Sequence, residues 1–354
     1  MRLWIADRFG VVRDEVVAHV ESVSWILNGI GRLRFTLAQS DVKATPDNLQ
    51  FGNRVLVRFA NGLPDWAGVI LPPRRWSAAG TVEVTAYTIE QLLQYRLTDR
   101  GRYFNEVPAG AIFAAILTEA QYAEPLNITV RNVWYGGLAH SPAYHYKSAW
   151  WIISESIKRM EVCDVRFAPA LEGGRVVWYA GLQERIGRDL SSAVAIVQSR
   201  NLTGDTTLEE QGSIVNEVSA IGVGTTWGPD RAIVTARDES SIARYGLFQG
   251  AIQPSSVVEA ATLERHARRQ LQESAQPRLR FQVEVADVEP GRFRDYDVGD
   301  TVTLSVPGAR WGYRGRVRVL AREYRPADGV CGLVVEEEPE TPPIVIRQDV
   351  QEAG

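Results

Sequence analysis

Phe51-Gly52-Asn53-Arg54-Val55-Leu56-Val57, followed by Trp66-Ala67-Gly68-Val69-Ile70 and Gly80-Thr81-Val82-Glu83-Val84, is a phrase of strand and turn that the chain spells twice. The second spelling is Val298-Gly299-Asp300-Thr301-Val302-Thr303-Leu304, then Tyr313-Arg314-Gly315-Arg316-Val317-Arg318-Val319, then Gly329-Val330-Cys331-Gly332-Leu333-Val334. Gly52 stands 16 residues before Gly68, and Gly299 stands 16 before Gly315, so spacing as well as composition repeats. Alternating apolar residues between turn glycines mark half-buried strands. The chain is therefore expected to carry two copies of one β unit.

Around the first copy the period of two continues. Val16, Ala18 and Val20 precede the turn Asn28-Gly29-Ile30-Gly31, and Leu33, Phe35 and Leu37 follow it. Val55, Val57 and Phe59 face one way after Gly52-Asn53, and Val82, Val84 and Ala86 do so after Gly80. The stretch reads as an all-β barrel or sandwich.

The pattern then changes to helical spacing. Pro108, suited to a first helical position, opens Ala109 to Tyr122 with the stripe Ile112, Phe113, Ile116 and Leu117. Ser148 can cap a second helix with the inner face Trp150, Ile153, Ile157 and Met160 and an outer Glu155–Arg159 pair. Strands are expected at Asn127 to Arg131, Val162 to Phe167 and Arg175 to Tyr179, the last two joined through Glu172-Gly173-Gly174. Beyond Leu202 strands return at Ile214 to Val223 and Arg231 to Ala236. A third helix follows, with a Ser256–Glu259 capping box and the stripe Leu263, Ala267 and Leu271, ending before Pro277. Leu279 to Val285 leads into the second copy. Pro339-Glu340-Thr341-Pro342-Pro343 lacks ladder donors and reads as an extended arm.

The expected fold is mainly β with α+β insertions: two barrels and smaller modules. The first β barrel takes residues 1–93, an α+β module 94–200, the second barrel 201–246 and 279–338, a helical excursion 247–278, and a Pro-rich tail 339–354.

A chain of 354 residues exceeds what one core usually serves. Its net charge of -4 offers no bulk attraction to nucleic acid or to an anionic membrane. The opening Met1-Arg2-Leu3-Trp4-Ile5-Ala6-Asp7 is too short an apolar run for a signal peptide, and no stretch approaches the ~20 apolar residues of a membrane span. Synthesis and folding in the cytoplasm, without stable membrane insertion, are expected. Cys163 and Cys331 are too few and too far apart for a disulfide framework or a thiolate metal site, and both are expected to be buried.

The chemistry-bearing patterns are sparse. Gly222-Val223-Gly224 lacks the third glycine and the βαβ setting of a dinucleotide loop, and a hairpin turn accounts for it. No phosphate loop, nucleophile elbow or His-Glu-x-x-His pair occurs. His140 and His145 lie close together, but a metal would need a third ligand that the segment lacks; a loop packed by Trp134, Tyr135, Tyr144 and Tyr146 is the simpler reading. His19 on a strand and His266 among Arg265, Arg268 and Arg269 on a helix read as solvated or partner-facing. No catalytic, cofactor-binding or metal-binding residue is assigned. A carboxylate pair that meets only in three dimensions stays open, so a cell-wall hydrolase or a glycan-binding tip protein is the alternative.

Taken in order, these segments resemble the baseplate or tail-tip hub proteins of tailed bacteriophages and related contractile injection machines. Val23-Ser24-Trp25 with Asn28-Gly29-Ile30-Gly31-Arg32-Leu33-Arg34-Phe35 is similar to that family's opening hairpin. Gly52-Asn53-Arg54-Val55, Trp66-Ala67-Gly68-Val69-Ile70 and Val84-Thr85-Ala86-Tyr87 leading to Leu92-Leu93 resemble the rest of its first barrel. Ile214-Val215-Asn216-Glu217-Val218-Ser219-Ala220-Ile221-Gly222, Asp238-Glu239-Ser240-Ser241-Ile242-Ala243-Arg244-Tyr245-Gly246 and Val298-Gly299-Asp300-Thr301-Val302 complete the likeness.

The resemblance implies two tail-tube-like barrels per chain and a homotrimer forming a pseudo-sixfold ring at the virion tail tip. That ring would meet the tail tube or a distal tail protein above and a spike, fibre or other tip protein below, with DNA only in transit. Members that cleave peptidoglycan carry a further domain for which this chain leaves no room, and those holding an iron-sulfur cluster need cysteines missing here. Both departures imply a structural hub, not an enzyme, with no cofactor.

Overall fold

Seven strands make the first β unit: β1 (Arg2–Ala6), β2 (Val12–Val16), β3 (His19–Ile26), β4 (Arg32–Ala38), β5 (Arg54–Arg58), β6 (Trp66–Ser77) and β7 (Thr81–Tyr87). All their ladders are antiparallel. Alternation buries Leu33, Phe35 and Leu37 on β4 and Val82, Val84 and Ala86 on β7, as the period of two requires. β5 departs from it, since Val55, Leu56 and Val57 are all buried. Its second face is covered too: Leu56, Ala67 and Val69 share a core with the helices that follow.

These coordinates come from a computed structural model, described at residues 1–99, 101–137, 139–157, 163–212, 214–223, 231–253, 260–308, 312–338 and 345–349. After α1 (Ile89–Leu93) come β8 (Arg102–Tyr103) and β9 (Val107–Pro108), then α2 (Ala109–Glu119), for which Pro108 supplies the cap position. β10 (Ile128–Val133), β11 (Ala139–His140) and β12 (Ala143–Tyr144) lead to α3 (Ala149–Trp151), which passes into a π-helix over Ile152–Ile157. Ser148 caps α3 as expected, its Oγ accepting from Trp151 N–H at 3.1 Å. Trp150, Ile153 and Ile157 are buried; Met160 and Arg159 of the expected helix lie outside the described residues. β13 (Asp164–Glu172) and β14 (Arg175–Gln183) turn through Gly173 and Gly174, both at positive φ, and β14 also pairs parallel with β10.

The chain re-enters the large sheet at β15 (Ala195–Val197) and β16 (Leu202–Gln211). It then leaves for β17 (Glu217–Ile221), β18 (Ile233–Arg237), α4 (Glu239–Tyr245), β19 (Gln249–Ile252) and α5 (Ala260–Ser274). It returns as β20 (Arg278–Ala286), β21 (Thr301–Val306), β22 (Tyr313–Arg325) and β23 (Val330–Glu337), and β24 (Val345–Asp349) follows. Met1–Thr207 with Gln282–Val335 form one compact unit, and Leu208–Phe281 with Glu336–Gly354 form a second.

Residues 201–246, expected wholly in the second β unit, divide. Only β16 joins the large sheet, whereas β17 and β18 belong to a separate four-stranded sheet in the order β19-β17-β18-β24. The reason is a face match. Val218, Ala220, Val234 and Ala236 alternate inward against the α5 stripe of Leu263, Ala267 and Leu271, and all are buried in one cluster. The expected Ser256–Glu259 capping box and the Pro339 to Pro343 arm lie outside the described residues. Asp238 caps α4, accepting from Ser240 N–H and Ser241 N–H at 3.0 Å each.

Candidate assembly surface

The two spellings build the same strand order. In the thirteen-stranded sheet the first copy runs β3-β4-β7-β6-β5 and the second β16-β20-β23-β22, with β21 on β22. The turn glycines match in detail. Gly52 and Gly299 both sit at φ +94°, a region that L side chains avoid. Gly52 N–H donates to Ile70 O at 2.9 Å and Ile70 N–H to Asn53 O at 2.8 Å; Gly299 N–H donates to Val319 O at 2.7 Å and Val319 N–H to Asp300 O at 2.9 Å.

The equal glycine spacing, however, does not mark equivalent ladder positions. Val55 opposes Gly68, while Val302, which holds the same place after its turn, opposes Val317, and Gly315 opposes Leu304 instead. The second hairpin is two residues longer: Ile70 follows Gly52 by 18 residues, Val319 follows Gly299 by 20. What repeats is topology and turn geometry.

The copies join through one seam, where the C-terminal half of β22 pairs antiparallel with β3: Ala321 opposes Ile26, Arg322 Trp25, Glu323 Ser24 and Tyr324 Val23. Aromatic rings close it. Phe59 lies 5.6 Å from Trp25 and 6.0 Å from Tyr324, and Tyr324 lies 5.6 Å from Phe293; such tilted pairs each contribute ~1 kcal/mol beyond their buried area. Arg322 is fully buried beside it, its guanidinium donating to the carbonyls of Phe293 and Tyr296 and lying 4.7 Å from the Tyr296 ring centroid. A buried cation survives only with such partners.

One face of the joined sheet frames a groove of about 810 Å³ whose lining comes from both copies, including Ser24, Arg32, Tyr87, Asp205, Glu284 and Arg325. Its charges are mixed, and Glu284 pairs with Arg325. Among the described residues the sheet's one-sided strands include β16 and β2 at the two ends of the strand path and β15 beside β21, and Arg74–Ser77 of β6 pairs with β7 but lies beyond the β5 ladder.

The buried carboxylates near these elements hold structure. Asp164 accepts from Asn28 Nδ2 and Ile186 N–H at 2.8 Å each and pairs with Arg318. Asp300 accepts from Arg188 N–H at 2.7 Å and Arg188 Nη2 at 2.9 Å. Glu90 differs: burial pushes its carboxyl up to about 7, against the opposing effects of Thr88 and its own backbone N–H, and its Oε2 has no partner.

The histidines do not converge. His140 lies half-buried on β11, and His145 is exposed with its ring 5.6 Å from Tyr103. His19 is exposed and His266 half-buried. No group of three His, Cys, Asp or Glu among the described residues is arranged to hold a metal. Neither Cys163 nor Cys331 is in a disulfide, and both are buried. Gly222 N–H closes the β17–β18 hairpin on Ala232 O at 2.8 Å, and Gly224 lies outside the described residues. No described helix is long and apolar enough to cross a membrane.

Sequence reasoning missed the seam. Its signal was present in Tyr324, placed just before the Pro326-Ala327-Asp328-Gly329 turn, and in Trp25 and Phe59, but ring partners are set by sheet order, not by spacing.

No family model and no curated protein matches the sequence. Solved structures do match the fold. The prophage tail protein gp18 of Listeria monocytogenes EGD-e, 13% identical, aligns over 96% of this chain and 95% of its own with a TM-score of 0.65. The tail protein of Neisseria meningitidis MC58, 12% identical, aligns over 96% and 97% with a TM-score of 0.61. A component of the Escherichia coli type VI secretion system, described as structurally similar to the T4 tail proteins gp27 and gp5, is 14% identical over 92% of this chain and 75% of its own, with a TM-score of 0.50.

Proposed function

We propose, for a chain with the fold of phage tail proteins, that it is a structural hub of a phage tail tip or baseplate. Three copies form a ring with six near-equivalent β units, two from each chain. The ring joins a hexameric tail tube or distal tail protein above to a threefold spike, fibre or tip protein below. It carries no catalytic role, assembles in the host cytoplasm and ends in the virion tail.

The observation that carries this reading is the duplicated strand order within one continuous sheet. A head-to-tail ring closes only when each contact repeats its rotation, and three chains that each contain one such junction supply half of the six. The tube-like units are assigned as residues 1–93 and as β16 with β20 to β23. The mixed charges of the groove fit a channel wall along which DNA passes without being held, since tight phosphate binding needs a basic excess.

Sedimentation of the purified full chain at micromolar concentration, with negative-stain images of the same sample, tests the reading. A species at three times the monomer mass, showing rings with a central opening, is the expected outcome. A monomer at every concentration, alone and with neighbouring tail components, would overturn it.

A further inference from the structure

A pocket of about 170 Å³ lies within the larger compact unit, where the β3–β4 turn and α1 meet the first half of β13 and the turn that opens the second β copy. Its walls are pinned. Asn28 ties the β3–β4 turn to β13, donating to Asp164 at 2.8 Å and accepting from Val165 N–H at 2.7 Å. Gly31 N–H donates to the Thr88 hydroxyl and Thr88 N–H to Gly31 O, both at 3.0 Å, and Arg166 reaches Asp297 at 3.0 Å. A site fixed before its ligand arrives loses little entropy on binding.

Much of the lining is apolar, with Leu27, Pro64, Val165, Phe167 and Pro169. Trp25 and Glu90 also line it, and Trp25 Nε1 and Glu90 Oε2 are buried without a hydrogen-bond partner among the described residues. Glu90 as a whole is only 9% exposed. A donor and an acceptor buried at one cavity are costly unless something completes them.

We infer that this pocket binds an amino alcohol of about six non-hydrogen atoms, its primary ammonium on the Glu90 carboxylate and its oxygen accepting from Trp25 Nε1–H.

Size, charge and polarity each narrow the class. An apolar cavity of about 150 Å³ holds benzene, which sets the number of atoms. Glu90, Asp65 and Asp297 line the pocket against one cation, Arg166, so an anion is disfavoured. Asp297 holds Arg166 and Arg58 holds Asp65, which leaves Glu90 as the lining carboxylate with no counter-ion among the described residues. A hydrocarbon would fill the space and leave both polar atoms unpaired. Burial already holds the Glu90 carboxyl near 7, so a bound cation takes the place of its proton. No histidine lines the pocket, and a proton released there between pH 6 and pH 8 comes from Glu90.

Isothermal titration calorimetry of the full chain with aminobutanol tests this, with butanol and hydroxybutyrate as the neutral and anionic counterparts. The expected result is saturable binding of aminobutanol alone, about tenfold tighter at pH 8 than at pH 6, with roughly one proton released at pH 6. Glu90→Gln keeps the shape, removes the charge and weakens binding at pH 8 by about tenfold or more. Trp25→Phe keeps a ring, drops the N–H and makes aminobutanol bind no tighter than butylamine. The pH profile and proton count need no variant, so they decide the matter even where a substitution disturbs packing. Equal affinity in the wild type and Glu90→Gln, no saturable binding at pH 8, or a preference for hydroxybutyrate would overturn the assignment. The ring reading stands in each of those cases, because it does not use this pocket.

Discussion

The two β units share strand order and turn geometry, yet their outer faces differ. In the first, β5 is buried on both sides because Leu56, Ala67 and Val69 enter the core of the α+β module. In the second, the equivalent face of β21 is polar, with Thr301 buried and Thr303 and Ser305 half-buried: Thr303 donates its hydroxyl to Ser191 O at 2.8 Å, under a segment that contributes β15. The comparison separates two requirements. Residues facing the shared core keep the topology, while residues facing outward record what each copy has been given to hold.

The sharpest break of that comparison is a pair of truncations at matched positions. Leu56 and Thr303 are each four residues after their turn glycine. Leu56→Ala is expected to cost ~2–5 kcal/mol through its cavity, and Thr303→Ala ~1 kcal/mol through one hydrogen bond. Urea unfolding monitored by tryptophan fluorescence checks both, and equal losses would mean that the outer faces do not differ energetically.

A second contrast concerns α1, which packs beside the first copy. Glu90 has a folded pKa near 7, above the ordinary 4.5. The folded state therefore binds its proton more tightly than the unfolded state does. The stability linked to Glu90 is fully present below pH 4.5 and is lost as pH rises through 7. Two to three pKa units correspond to a loss on the order of 3 kcal/mol. Glu90→Gln should flatten this slope between pH 4.5 and 7 and raise stability at pH 8, as read from denaturant midpoints across pH. An unchanged slope would place the carboxyl in contact with water.

The smallest expected gap lies at the turns. Gly52 and Gly299 share φ +94°, so an alanine at either place is strained by ~1 kcal/mol. A Cβ on Gly52 would meet nothing within 4 Å, but one on Gly299 would lie 2.7 Å from the Ile186 carbonyl. Gly299→Ala should therefore lower the melting temperature more than Gly52→Ala. The reverse order would show that the first turn is the more constrained.

Strand existence and the duplicated unit were legible because a half-buried ladder imposes a period of two and a left-handed turn selects glycine. The same reasoning found the α2 and α5 stripes and, of the second helix's expected inner face, Trp150 on α3 and Ile153 and Ile157 on the π-helix that follows it. It could not assign β17 and β18 to their sheet, since an alternating strand looks alike whichever apolar face it meets; Leu263, Ala267 and Leu271 decide that in three dimensions. Nor could it measure the hairpin, where Gly68 and Gly315 match by count and not by ladder position. The seam was invisible for a related reason: Trp25, Phe59 and Tyr324 come from strands that are neighbours only once the whole sheet is ordered.

The joint between the first two strands of each copy has very different sizes. In the first copy Ile26 ends one strand and Arg32 begins the next; in the second, Gln211 and Arg278 are the corresponding ends, and most of a separately packed body is threaded between them. Both ends of the insert leave from adjacent strands, so the scaffold registers it as an enlarged loop. Such a place is a socket: an insert there can lengthen at little entropic cost while the surrounding ladder keeps its bonds.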